Sequence, residues 1–81
     1  MRIDVLAFAQ AREAIGAARV RLELPEGSRV SDALALLTGR HPELRAIAPH
    51  LAVAVNRELV RGERVLADGA ELALLPPVSG G

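Results

Sequence analysis

Cysteine is absent from the 81 residues, which excludes disulfides, thiolate metal sites and cysteine nucleophiles. If the chain handles sulfur, another group must hold it. Lysine is absent as well: all ten basic side chains are arginine, so the Met1 amino group is the one primary amine in the sequence. A compositional bias explains this count without any chemistry, although high-temperature proteomes favour lysine. The chemical reading is that an activated carboxyl group on this chain finds almost no internal amine to attack it. Aromatics are reduced to Phe8, which makes the core aliphatic. Charge of one sign is not in excess, since ten acidic residues balance ten basic ones. That balance removes the long-range positive field on which nucleic-acid binding and polybasic membrane attachment depend. No apolar run approaches the roughly 20 residues that span a bilayer, and no N-terminal charged-then-apolar signal precedes a small-residue cleavage site. The cytoplasm is therefore the expected location, with neither nucleic acid nor membrane as partner.

What is present suffices for one domain. Apolar residues make up 51% of the chain, and at this length a second core would leave each too small to offset the entropy of ordering it. There is no internal repeat, low-complexity segment or interdomain linker. Ile3 to Phe8 alternate, with Ile3, Val5 and Ala7 on one face and Asp4, Leu6 and Phe8 on the other, as a strand does. Gln10 to Ile15 reads as a short helix stopped by Gly16. Val20, Leu22 and Leu24 alternate with charged neighbours up to the Pro25-Glu26-Gly27 turn, giving a second strand and an antiparallel hairpin.

Val30, Ala33, Leu34 and Leu37 then stand at i, i+3, i+4, i+7 spacing, so this is the main helix, with Ser28 as expected N-cap, Asp32 near its positive end and Gly39 as its stop. Leu34→Asp is expected to unfold the domain. A loop or short helix over Glu43 to Ala48 leads to Leu51, Val53 and Val55, alternating with alanines in a strand apolar on both sides, the composition of a central strand. Asn56-Arg57-Glu58 reads as a turn, Leu59-Val60 as a short edge strand, Asp68-Gly69 as a turn and Glu71 to Leu75 as the last strand. Pro76-Pro77 stops pairing and begins an extended tail. The expected division is a folded domain over 1–75 and a flexible tail over 76–81. The order describes an α+β domain, a mixed sheet of about five strands with one main helix across one face, which is the β-grasp layout.

Catalytic constellations are scarce. His41 and His50 lack short ligand spacing, so no metal site is expected. Ser28, Ser31 and Ser79 have no neighbouring base, and the glycines occur singly at turns and not as a phosphate-cradling loop. Attention falls on the tail Pro76-Pro77-Val78-Ser79-Gly80-Gly81. Prolines stiffen its base, and two glycines without Cβ let backbone pass a channel too narrow for side chains. A carboxylate at its end is inert until a leaving group such as AMP is attached, after which a sulfur or amine nucleophile can displace that group.

The stretches Val5-Leu6-Ala7-Phe8-Ala9-Gln10-Ala11-Arg12-Glu13 and Asp68-Gly69-Ala70-Glu71-Leu72-Ala73-Leu74-Leu75-Pro76-Pro77-Val78-Ser79-Gly80-Gly81 resemble the small subunits of molybdopterin synthase. These belong to the sulfur-carrier family that includes the thiamin-pathway carrier and shares ubiquitin's fold. The resemblance implies that Gly81 is adenylated by an E1-like enzyme using ATP and magnesium. A sulfur donor such as a cysteine desulfurase or a rhodanese-like protein then converts it to a thiocarboxylate. It further implies that Pro76 to Gly80 thread into the large catalytic subunit, which takes sulfur from two carriers to build the dithiolene of molybdopterin from cyclic pyranopterin monophosphate. No cofactor is bound tightly by the carrier, which is not an enzyme by itself.

The family's partner-facing apolar positions fall on Phe8, Leu59 and Leu75, the last standing where an aromatic is frequent. The residue pattern agrees in outline: a helix on one sheet face leaves Leu6, Phe8 and Leu75 for an uncovered patch, unless loops cover them. Alternatives remain open at this level: a ubiquitin-like modifier joined through Gly81 to target lysines, a carrier for thiamin or tRNA thiolation, or an interaction module.

Overall fold

The computed structural model describes residues 1–77. In chain order it contains β1 (Arg2–Ala7), α1 (Ala9–Ile15), β2 (Arg19–Glu23), α2 (Val30–Arg40), α3 (Pro42–Ile47), a 3-10 turn (Ala48–His50), β3 (Ala52–Val55), β4 (Glu58–Val60) and β5 (Glu71–Leu75). The sheet order is β2-β1-β5-β3-β4. β1 runs antiparallel to β2 and parallel to β5, while β3 is antiparallel to both β5 and β4. This is the β-grasp arrangement, in which the first and last strands lie side by side.

Alternation decides which face is buried. Ile3, Val5 and Ala7 of β1, Leu22 of β2, Val55 of β3 and Leu72 and Leu74 of β5 all point into one aliphatic core. Ala11 and Ile15 of α1, Val30, Ala33 and Leu37 of α2 and Leu44 of α3 close it from the helical side. β3, expected as a central strand, is interior to the sheet, paired with β5 on one side and the edge strand β4 on the other, while the middle position belongs to β5. Its second face carries Ala54, buried outside the core cluster.

The expected helices form with shifted ends. α1 begins one residue earlier, at Ala9, and stops where Gly16 adopts φ 82° and donates its N–H to the Arg12 carbonyl at 2.8 Å. α2 continues one residue past Gly39 to Arg40, and Pro42 then opens α3, where a missing N–H costs nothing. Ser28 is not the N-cap of α2; the capping position is Arg29, whose own N–H donates to the Asp32 carboxylate at 2.8 Å. The free N–H groups of Val30 and Ser31 donate instead to the carbonyls of Arg64 and Gly62, both at 2.9 Å, and Leu66 N–H returns a bond to the Ser28 carbonyl. A loop more than thirty positions away therefore caps the main helix. Just beyond that loop the Asp68-Gly69 turn clasps β1: Arg2 N–H donates to Asp68 Oδ1 and Gly69 N–H to the Arg2 carbonyl, both at 2.7 Å.

Leu34 is only half-buried on the flank of α2, whereas Leu37 is fully buried. The helix therefore depends on Leu37 more than on Leu34, where the spacing alone ranked them equally. Leu37→Ala is expected to lower the unfolding free energy by about 2–5 kcal/mol, and Leu34→Ala by clearly less, as read from urea titrations of the two variants.

Candidate functional site

The sheet face turned away from the helices is not covered by any element among the described residues. Register places one residue from each strand in a single row across it: Arg19 opposite Leu6, Leu6 opposite Ala73, Ala73 opposite Ala54, and Ala54 opposite Leu59. The two alanines make a low floor between larger walls, so the row forms an apolar groove of about 540 Å³. Phe8 and Leu75 extend its lining. Phe8 is 44% exposed and Leu59 67% exposed, while Leu75 is half-buried. The patch anticipated from Leu6, Phe8 and Leu75 is thus uncovered, and Leu59 joins it from the edge strand.

Each wall is held by the backbone behind it. Phe8 N–H donates to the Leu74 carbonyl at 3.2 Å, and the Phe8 carbonyl accepts from Ala11 N–H at 3.1 Å, which fixes this residue at the junction of β1 with α1. Leu59 is held by the short β3–β4 ladder, whose turn is formed by Asn56 and Arg57 at φ 49° and 71°. Asn56 suits that left-handed geometry and exchanges bonds with β5: its N–H donates to the Glu71 carbonyl at 2.8 Å and its Oδ1 accepts from Glu71 N–H at 2.9 Å. Arg57 and Glu71 line the groove as its charged members. Glu71 belongs to the next row, which is ionic, with Asp4 opposite Glu71 and the Arg21 Nε at 3.4 Å from Asp4 Oδ1.

Leu75 ends β5, and Pro76 and Pro77 follow it, both exposed. The chain leaves the sheet beside Phe8, because the bond from Phe8 N–H to Leu74 lies one residue before that exit. Val78, Ser79, Gly80 and Gly81, which carry the expected chemistry, lie outside the described residues. The Met1 ammonium, the one primary amine, donates to the Leu24 carbonyl at 2.7 Å and lies 3.8 Å from the Glu26 carboxylate. His41 and His50 stand on different elements, and no group of three or more His, Asp or Glu side chains among the described residues could hold a metal ion. No helix among the described residues is long and apolar enough to cross a membrane.

Sequence reasoning missed Ala54 and Ala73 as the groove floor and treated Arg57 only as part of a turn. The alanines were visible as small residues alternating with Val53, Val55, Leu72 and Leu74. Only the strand order shows that they stand side by side.

Comparison with known proteins follows the same lines. The ThiS family model matches residues 5–81. The molybdopterin synthase sulfur carrier subunit of Chlamydomonas reinhardtii is 40% identical over the full length of both chains. That of Arabidopsis thaliana is 35% identical, over 100% of this chain and 84% of its own. The crystal structure of small archaeal modifier protein 1 from Haloferax volcanii superposes with a TM-score of 0.88 at 35% identity, covering 100% of both.

The groove lies outside the core, so its walls can change without unfolding the protein. Leu59→Asp is expected to shift stability by no more than about 0.5 kcal/mol, whereas Leu72→Asp, at a fully buried position, is expected to prevent folding. Circular dichroism and thermal melting of both variants check this contrast.

Proposed function

The chain belongs to the ThiS family, and from that premise we propose that it is the sulfur carrier subunit of molybdopterin synthase. The observation that carries the reading is the placement of the tail: Pro76-Pro77 continue directly from the central strand, beside an uncovered apolar groove. A partner that grips the groove through Phe8, Leu59 and Leu75 receives the tail at the rim of its contact. The curated relatives named as such carriers match over the full length of this chain, which supports the same assignment.

In this reading the chain contributes no catalytic side chain. The Gly81 carboxylate attacks the α-phosphorus of ATP on an E1-like enzyme, with magnesium neutralising the phosphates, and pyrophosphate leaves. The persulfide of a sulfur donor, such as a cysteine desulfurase or a rhodanese-like protein, then attacks the carbonyl carbon as AMP departs, and a thiol that attacks the donor-side sulfur of the resulting acyl disulfide releases the thiocarboxylate and is left in a disulfide with the donor. Threaded into the large catalytic subunit along Pro76, Pro77, Val78, Ser79 and Gly80, the thiocarboxylate gives up its sulfur to the forming dithiolene. Water then cleaves the acyl–sulfur bond of the resulting thioester, which leaves the sulfur on the substrate and returns the tail as a carboxylate. Glycines at its end suit a narrow channel, and prolines at its base reduce the entropy lost on threading. The scarcity of amines fits an acyl intermediate that must wait for sulfur. Arginine is not acylated under these conditions, and the Met1 ammonium is engaged by Leu24.

A second reading has its own support, because the Haloferax volcanii relative is named as a modifier protein. Here the same Gly81 adenylate would end in an isopeptide bond to a lysine of another protein. Covalent adducts of a tagged chain with many targets would favour it.

Deletion of Gly81 is expected to abolish sulfur transfer by the reconstituted synthase while leaving circular dichroism and melting unchanged; normal transfer by that variant would sink the proposal. Ala73→Leu, which raises the groove floor, is expected to weaken association with the large subunit at least tenfold in a titration, with the fold retained.

A further inference from the structure

The β3–β4 turn carries a large side chain where the backbone disfavours one. Both central residues, Asn56 and Arg57, have positive φ. Two-residue hairpin turns of this hand favour Asn followed by Gly, because a Cβ at the second position crowds the carbonyl that follows. Asn56 supports its strained conformation with two bonds to Glu71. Arg57 obtains no comparable compensation: like most of the arginines it makes no ion pair among the described residues, where only Arg2, Arg21 and Arg64 are matched, by Glu23, Asp4 and Glu58, and unlike them it holds a positive φ. Arg57 lines the groove together with Leu59 and Glu71. An outlier held without local return, aimed at a surface already assigned to docking, is where strain points to function.

We propose that Arg57 is a specificity-determining residue of the docking surface, its guanidinium receiving a carboxylate that the partner presents as its apolar side chains fill the groove. The inference rests on the docking reading given above. Guanidinium suits this role because its planar fork meets a carboxylate with two parallel bonds and sheds water more readily than an ammonium. The surroundings restrict where that carboxylate can land. Glu71 lines the same groove, and Asp4 lies opposite Glu71 on the next strand with Arg21 already on it. A carboxylate displaced along the face by one row meets negative charge, so Arg57 and Glu71 together select the register in which the partner docks.

The test measures association of the full chain with its cognate large synthase subunit at low and high salt, for the wild type, Arg57→Gly, Arg57→Asn and Leu59→Asp. Arg57→Gly and Arg57→Asn both suit a left-handed position, so both are expected to fold, Arg57→Gly melting a few degrees above wild type as strain is released. Both are expected to bind about three- to tenfold more weakly at low salt, with the gap closing at high salt. A more stable variant that binds less well separates this role from a structural one. Unchanged affinity and salt dependence in both Arg57 variants, with binding lost in Leu59→Asp, would overturn the role of Arg57 alone. Unchanged affinity in Leu59→Asp would overturn the docking reading, and the inference with it.

Discussion

The structure depends on the double-sided hydrogen bonding of β5. This strand is the last to be made and the most enclosed: β1 pairs with it in parallel on one edge and β3 antiparallel on the other. Leu72 and Leu74 enter the core fully buried, while Ala73 and Leu75 face the groove. Pro76 and Pro77 therefore continue from the middle strand of the sheet. Proline at 76 marks the limit of the ladder, since it has no N–H to continue pairing. Under the proposed function, an enzyme drawing on the tail would pull against two ladders and a packed core.

The same strand separates stability from recognition. Its core-facing leucines join an aliphatic cluster built with three helices, and its outward alanine forms part of a groove outside that cluster. Small residues at the middle of the open face and large ones at its margins create concavity without any insertion in the sheet. The charged row beyond, in which Arg21, Asp4 and Glu71 are neighbours, bounds the apolar area, and Arg57 is the arginine that lines the groove with Leu59. A surface of this kind, apolar at the centre and charged at one edge, has the anatomy of a protein–protein contact.

Much of this was legible in the residues. Alternation in Ile3 to Phe8 located a strand and separated its two faces, Glu71 to Leu75 was legible as the last strand, and Gly16 and Asp68-Gly69 marked turns that do adopt positive φ at the glycine; which sheet face is buried was not legible, since both faces of the first strand are largely apolar. The i, i+3, i+4, i+7 pattern found α2 but ranked Leu34 with Leu37, because spacing gives a helical face and not its depth. The cap of α2 was beyond reach: its N–H groups are satisfied by carbonyls of Gly62 and Arg64, and backbone acceptors carry no residue-type signal. The centrality of β5 and the adjacency of Ala54 and Ala73 were hidden for a related reason, since periodicity describes a strand's faces and says nothing about its neighbours. Phe8, Leu59 and Leu75 were reached through family resemblance, and strand order explains why three residues so far apart in sequence share one groove.

The central claim is that the Gly81 carboxylate carries the sulfur, and the most direct test is the intact mass of the protein after incubation with a cognate E1-like enzyme, ATP, magnesium and a sulfur donor. The account predicts a gain equal to replacement of one oxygen by sulfur, lost when the terminal glycine is removed. No gain, with the activating enzyme shown competent on another carrier, would contradict it.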